Sequence, residues 1–204
     1  MLFLPEKIEN MFWEYRLGII TRGLAGVDTA DDEHIHYGTV PYRTINTILD
    51  HLQLTHSDVF VDLGCGKGRV LCCAAMRSIE KSIGVECSPS LSSIAQHNAD
   101  VLRFHHSPIA VLTMEAQQFD YSVGTVYYLF HPFGPETLST VLEQLRSGVE
   151  RIPRSVRIVY VNPVHNNVLK DCSWLIETEK WNAGESRSPV HPVTWWQNKI
   201  DRQG

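Results

Sequence analysis

The stretch Phe60-Val-Asp-Leu-Gly-Cys-Gly-Lys-Gly-Arg69 limits what this chain can fold into more than any other feature. Beginning at Val59, it opens β-branched and aromatic and is then cut off by glycines, which predicts a short buried strand. Gly64, Gly66 and Gly68 follow in the spacing G-x-G-x-G, and Arg69–Met76 reads as a helix. A strand that turns through glycines into a helix is a building unit of α/β folds. In parallel sheets of that kind, ligands bind beyond the carboxyl ends of the strands.

The alternation continues along the chain. Ser82–Glu86, Ile109–Thr113, Val123–Phe130 and Val156–Val161 are predicted strands. Pro89–Arg103 is a predicted helix, and so is the stretch from Pro135, with Leu138, Leu142, Leu145 and Val149 as its stripe and Pro153 as its stop. Upstream, Ile45, Ile48, Leu49 and Leu52 recur at helical spacing behind Pro41. Two weaker strands fall around Trp174–Glu177 and Thr194–Lys199. The expected fold is α/β: a doubly wound, mostly parallel seven-stranded sheet with helices on both faces and an antiparallel strand at its end. Residues 7–20 carry Ile8, Met11, Phe12, Tyr15 and Ile19 at spacings of three and four, which predicts a short amphipathic helix laid against the body. Residues 1–33 therefore read as an N-terminal helical extension, a candidate lid, and residues 34–204 as the main domain.

Composition narrows the class. With 204 residues, 43% of them hydrophobic and 20% charged, the chain is long enough for one ordinary core. Eighteen Lys plus Arg against 23 Asp plus Glu, with no run of like charges, argue against binding nucleic acid mainly through phosphates. Apolar runs such as Val70–Met76 are far short of the ~18 residues that cross a bilayer. Pro5, Glu6, Lys7 and Glu9 interrupt the start where a secretion signal needs an apolar stretch, so a cytoplasmic location is expected. Cys65, Cys72, Cys73, Cys87 and Cys172 form an odd set without a C-x-x-C pair and read as free, apolar filler. His34-x-His36 and His105-His106 lack acid or cysteine partners at ligand spacing, so no metal is expected.

The ligand of the glycine loop follows from charge. A dinucleotide signature would place a third glycine where Arg69 stands, and a P-loop would have Ser or Thr after Lys67. Asp62, at the mouth of the loop, repels a phosphate and attracts an ammonium. Glu86, twenty-two residues beyond Gly64, ends the next strand, where a carboxylate accepts ribose hydroxyls. A ribose and an ammonium without a phosphate describe S-adenosylmethionine. Plainer readings stand beside this one: a tight ligand-free turn for the glycines and a solvated strand end for Glu86. Lys67 and Arg69 are expected to be solvated.

The segments D-L-G-C-G-K-G, I-G-V-E and L-T-M-E-A resemble successive motifs of the class I methyltransferases, over about Tyr37 to Val161. The resemblance implies that Asp62, Gly64, Cys65, Gly66 and Gly68, then Glu86 with Cys87, hold S-adenosylmethionine. It also implies that Glu115 accepts from the adenine amino group, where relatives usually carry Asp, and that the Ala116 N–H faces the ring. His36-Tyr-Gly-Thr-Val-Pro-Tyr42 is similar to a segment that closes over the methionine end, which assigns Tyr37 and Thr39 there.

Tyr127-Tyr-Leu-Phe-His-Pro-Phe-Gly134 stands where the family places its substrate-facing motif. It resembles N-P-P-[FY] and, more closely, N-P-F-G, with His131 in place of the asparagine. Asparagine accepts hydrogen bonds from a planar amine, whereas histidine can take a proton, which weighs against base or amide N-methylation. His131 is accordingly a candidate general base, with a structural histidine bonded to backbone as the plainer reading, and the aromatic faces of Tyr128, Phe130 and Phe133 are placed toward the sulfonium, with plain core as the other reading of Phe130. The function implied is methyl transfer to an N or O nucleophile of a small molecule or a protein side chain, lysine included; nucleic acid ranks lower. Two alternatives stay open: a non-catalytic S-adenosylmethionine-binding homologue or partner subunit, and, more weakly, a nicotinamide-dependent reductase.

Overall fold

The computed structural model describes residues 5–23, 40–184 and 190–199. The strand expected before the glycines is β1 (Val59–Leu63), with every residue buried. Phe60 packs into a core with Leu17, Tyr42 and Ile48 on one side of the sheet, while Val61 and Leu63 pack with Leu138, Leu142 and Leu145 on the other. A strand covered on both faces has no polar side to show, which is why its sequence is continuously apolar up to Asp62.

The other strands are β2 (Lys81–Glu86), β3 (Ile109–Thr113), β4 (Val126–Phe130), β5 (Arg157–Val161), β6 (Leu175–Trp181) and β7 (Val193–Asn198). They pair in the order β3-β2-β1-β4-β5-β7-β6. The pairs from β3 through β5 are parallel, and β7 is antiparallel to both β5 and β6. Helices α1 (Glu6–Leu17), α2 (Tyr42–His51) and α3 (Arg69–Ala75) lie on one face, with α4 (Pro89–Val101) beside α3. The helices α5 (Pro135–Arg151) and α6 (Asn166–Lys170) cover the other. Strand order reverses between β1 and β4, so the chain leaves their carboxyl ends in opposite directions and opens a crevice there.

The sequence reading of the sheet holds, with shifted bounds. Strand β4 starts at Val126, not Val123: a Cβ on Gly124 would lie 2.5 Å from the Tyr127 ring, so the chain turns there before it can pair. The five-residue α6 was not expected, being too short for a periodic pattern to register.

Helix α1 is where the pattern misleads. Ile8, Met11, Phe12 and Tyr15, whose spacing predicts a buried stripe, are 49, 46, 53 and 82% exposed, while Glu14 and Leu17 face inward. The cause is an ion pair: the Glu14 carboxylate meets the buried guanidinium of Arg69 at 3.4 Å. Leaving such a cation without its partner costs ~3–5 kcal/mol, enough to set the rotation of a three-turn helix against its own apolar stripe. Trp13 completes the inward face, stacked on Tyr42 at 6.0 Å. No helix among the described residues is long and apolar enough to cross a membrane.

This orientation predicts opposite outcomes for two α1 substitutions. Leu17→Ala should cost ~2–5 kcal/mol and Phe12→Ser less than ~0.5 kcal/mol in urea unfolding; the reverse ranking would mean that the stripe is the buried face.

Candidate active site

Three glycines shape the crevice: Gly64, Gly66 and Gly68 have φ of +74°, +55° and +79°. At Gly64 no other residue serves, because a Cβ would come within 2.7 Å of Pro132 Cβ in the loop after β4. The Gly64 and Cys65 N–H groups donate to Val85 O at 2.8 and 3.0 Å, which fastens the start of the loop to β2.

Asp62 sits at the carboxyl end of β1, in register with Tyr128 of β4. Burial and then the charge of Glu86 push its carboxyl up to about 8, against a hydrogen bond from the Leu71 N–H in the first turn of α3. No cation pairs with it among the described residues. Glu86 spans the loop and the next helix: its Oε2 accepts from Gly66 N and its Oε1 from Ser88 N, both at 2.9 Å. Oε1 also accepts from the Cys87 thiol at 3.7 Å, which leaves Oε2 the oxygen with a lone pair for a further donor. Cys87 is half-buried, its thiol raised to about 11 by burial and by the charges of Glu86 and Glu115. Glu115 is exposed and caps the single turn Ala116–Gln118, in which Ala116 is buried. Asp62, Gly64, Cys65, Gly66 and Gly68 thus form one wall, and Glu86, Cys87, Glu115 and Ala116 continue from it. A buried carboxyl group lacking a counter-charge, next to a second one with a free lone pair on Oε2, fits the ammonium and ribose of S-adenosylmethionine and disfavours a phosphate.

Across the crevice, β4 ends in Phe130 and then His131, whose φ is +41°. His131 Nδ1 lies 3.4 Å from the Tyr160 hydroxyl of β5, and that hydroxyl also accepts from His165 N at 3.4 Å. The two imidazoles stand 5.2 Å apart. Burial, and secondarily His165, lower the His131 pKa, so its ring is neutral near pH 7. Phe130 lies 5.1 Å from the ring of His191, and Phe133 packs toward α5. Tyr128 is not at this mouth; it lies fully buried beneath it, 6.2 Å from Phe60, with no hydrogen bond to its hydroxyl.

Tyr37, Thr39, His34 and His36 lie outside the described residues. Among those described, no cluster of three or more His, Cys, Asp or Glu could hold a metal ion. Sequence reasoning missed Tyr160, Asn162, His165 and His191. One signal was available: Asn162-Pro163 ends β5 as His131-Pro132 ends β4, and Asn162 also has positive φ, +50°. The expectation that Lys67 and Arg69 are solvated is wrong; both are buried, and each bonds to the segment after α1.

Residues 31–125 match the family described as Histone methylation protein DOT1. A 61-residue stretch is 41% identical to a histone-lysine N-methyltransferase, H3 lysine-79 specific, of Caenorhabditis elegans, covering 29% of this chain and 6% of that protein. A 54-residue stretch is 33% identical to a protein-lysine N-methyltransferase of Saccharolobus islandicus, covering 26% of this chain and 34% of the relative. The chain therefore spans about a third or less of either curated relative. In fold it is similar to an RNA methyltransferase from Salinibacter ruber solved with S-adenosyl-L-homocysteine, at a TM-score of 0.54 and 18% identity, over 82% of this chain and 96% of that one.

The raised Asp62 carboxyl has a signed consequence. Folding holds a proton there that the unfolded chain releases near pH ~4, so this group's contribution to stability is full below pH ~4 and is lost as pH rises toward 8. A cationic ligand must ionise it, so affinity should climb with pH by up to ~tenfold per unit below 8 and then level off. Calorimetric titration at pH 7 in two buffers of different ionisation enthalpy should show proton release; identical heats would contradict the assignment.

Proposed function

We propose that the chain is a class I, seven-strand, Rossmann-like S-adenosylmethionine-dependent methyltransferase and that it methylates lysine side chains of a polypeptide. The observation that carries the reading is Asp62, a buried carboxyl group without a counter-charge that faces a glycine loop whose neighbouring acid is Glu86. When bound, the cofactor supplies an electrophilic methyl on a sulfonium. Asp62 takes its ammonium, Glu86 its ribose hydroxyls, and Glu115 with the Ala116 N–H its adenine, while Phe130 and Phe133 offer aromatic faces worth ~0.5–2 kcal/mol each to a cation. Tyr37 and Thr39 are assigned to the methionine end.

A polypeptide acceptor is supported by the description of the matching family, and lysine by both curated relatives. It is also supported by the chemistry of the mouth. A lysine is an ammonium at pH 7, with pKa ~10.4, and must lose a proton before its lone pair can attack. Residues 130–134 and 160–166 include no carboxylate, so these two loops do nothing to hold the ammonium in its charged form. His131 is neutral and can take that proton at Nε2 if its Nδ1–H is donated to Tyr160, whose hydroxyl can accept from Nδ1 and from the His165 N–H together. The lone pair then displaces the thioether in line, a step governed by alignment. Net charge and His131 both disfavour a nucleic-acid acceptor.

Incubating the chain with cofactor and a panel of lysine-containing proteins and peptides should release S-adenosylhomocysteine and yield methyl-lysine by mass spectrometry. Cofactor binding without turnover on any amine or hydroxyl acceptor would favour the non-catalytic homologue. His131→Ala should lower kcat by ~10²–10⁴-fold, and Tyr160→Phe by less, with S-adenosylhomocysteine affinity within twofold of the native chain. Unchanged kcat would leave His131 a structural residue.

A further inference from the structure

The two residues flanking Gly68 are cationic, and both turn away from the crevice. Arg69, the first residue of α3, donates from Nε to Thr21 Oγ1 at 2.7 Å, from one terminal nitrogen to Val40 O at 3.1 Å and from the other to Glu14 Oε1 at 3.4 Å. Its guanidinium also lies 4.5 Å over the Tyr42 ring. Glu14 Oε1 gathers the strap that follows α1, accepting from Thr21 N at 2.9 Å, Thr21 Oγ1 at 2.9 Å and Arg22 N at 2.8 Å. On the other side of Gly68, Lys67 Nζ donates to Arg22 O at 3.2 Å and Gly23 O at 2.9 Å. The Lys67 carbonyl accepts from Asn98 Nδ2 of α4 at 2.8 Å, and that amide also pairs with both backbone groups of Ile20 at 3.0 Å.

We propose that Glu14, Thr21 and Arg69 are positioning residues for the cofactor loop, so that α1 and residues 18–23 are a built part of the cofactor site and not a lid over it. The inference rests on the glycine loop being the S-adenosylmethionine site. A loop with three glycines at positive φ has more conformational freedom to lose on ordering than one built of other residues. Backbone hydrogen bonds fasten parts of it, Gly64 and Cys65 N–H to Val85 O and Gly68 N–H to Cys65 O, but the three glycines have no side chains to add to these. The side-chain restraint comes from positions 67 and 69, which carry the longest side chains available, and their anchors include an element that precedes the loop by some fifty residues. A buried ion pair is suited to this role: its geometry is specific, and loss of one partner leaves the other charge buried and uncompensated. Gly23 and Val40, the described residues on either side of residues 24–39, are both bonded to these cations.

The test separates affinity from stability. Glu14→Gln should raise the S-adenosylhomocysteine Kd at least tenfold, measured by calorimetry well below the melting temperature, and should speed hydrogen exchange at the Gly64–Gly68 amides. Thr21→Val, a milder change at the same clasp, should raise Kd about threefold if Glu14→Gln does not fold. Leu145→Ala, in the core on the opposite face of the sheet, serves as a destabilised control and should leave Kd within twofold at a matched loss of melting temperature. An unchanged Kd in the folded clasp variants overturns the proposal, as does an equal loss in the control. If the native chain does not bind S-adenosylhomocysteine, the cofactor reading itself fails; the exchange rates at Gly64–Gly68 then still decide whether the clasp orders the loop.

Discussion

Two carboxylates held out of water on either side of a glycine loop set the terms for the rest of the molecule. Burial, and then the nearby charge of Glu86, disfavour the ionisation of Asp62. Such a pair is costly in an empty protein and becomes favourable when a ligand brings positive charge and hydroxyl donors. Glu86 is partly satisfied by the backbone N–H groups of Gly66 and Ser88, whereas Asp62 has only the start of α3. That asymmetry marks Asp62 as the position that most needs the ligand's cation.

The sheet makes this placement possible. Both acids end parallel strands, β1 and β2, so both are delivered to the same edge, and the reversal of order between β1 and β4 leaves room in front of them. The loops after β1 and β4 touch through Gly64 and Pro132. Beyond the paired strands, the cofactor-side and acceptor-side loops therefore approach closely at this point, with His131 directly before that proline.

Local pattern was enough to read the sheet because each of its strands is a run of apolar residues with turn signals at both ends; the acids were readable because they sit where strands stop. What escaped had partners far away in sequence. Glu14 faces inward because of Arg69, fifty-five residues later, and no period within α1 reveals that. Lys67 and Arg69 looked solvated for the same reason. Tyr160 and His165 gain their place only when β5 is laid beside β4. Tyr128, chosen for its nearness to the motif, falls on the strand proper and so lies under the mouth.

The positive φ of His131 has a consequence for which residues can stand there. A left-handed backbone before a proline excludes β-branched and most bulky side chains, and among non-glycine residues asparagine, aspartate and histidine tolerate it best. Histidine is therefore among the few residues that suit this backbone where the resembled motif carries asparagine, and it puts a titratable ring in place of an amide. Steric tolerance narrows the alphabet to a few letters before chemistry chooses among them, and new acceptor preferences at this corner can evolve only within that short list.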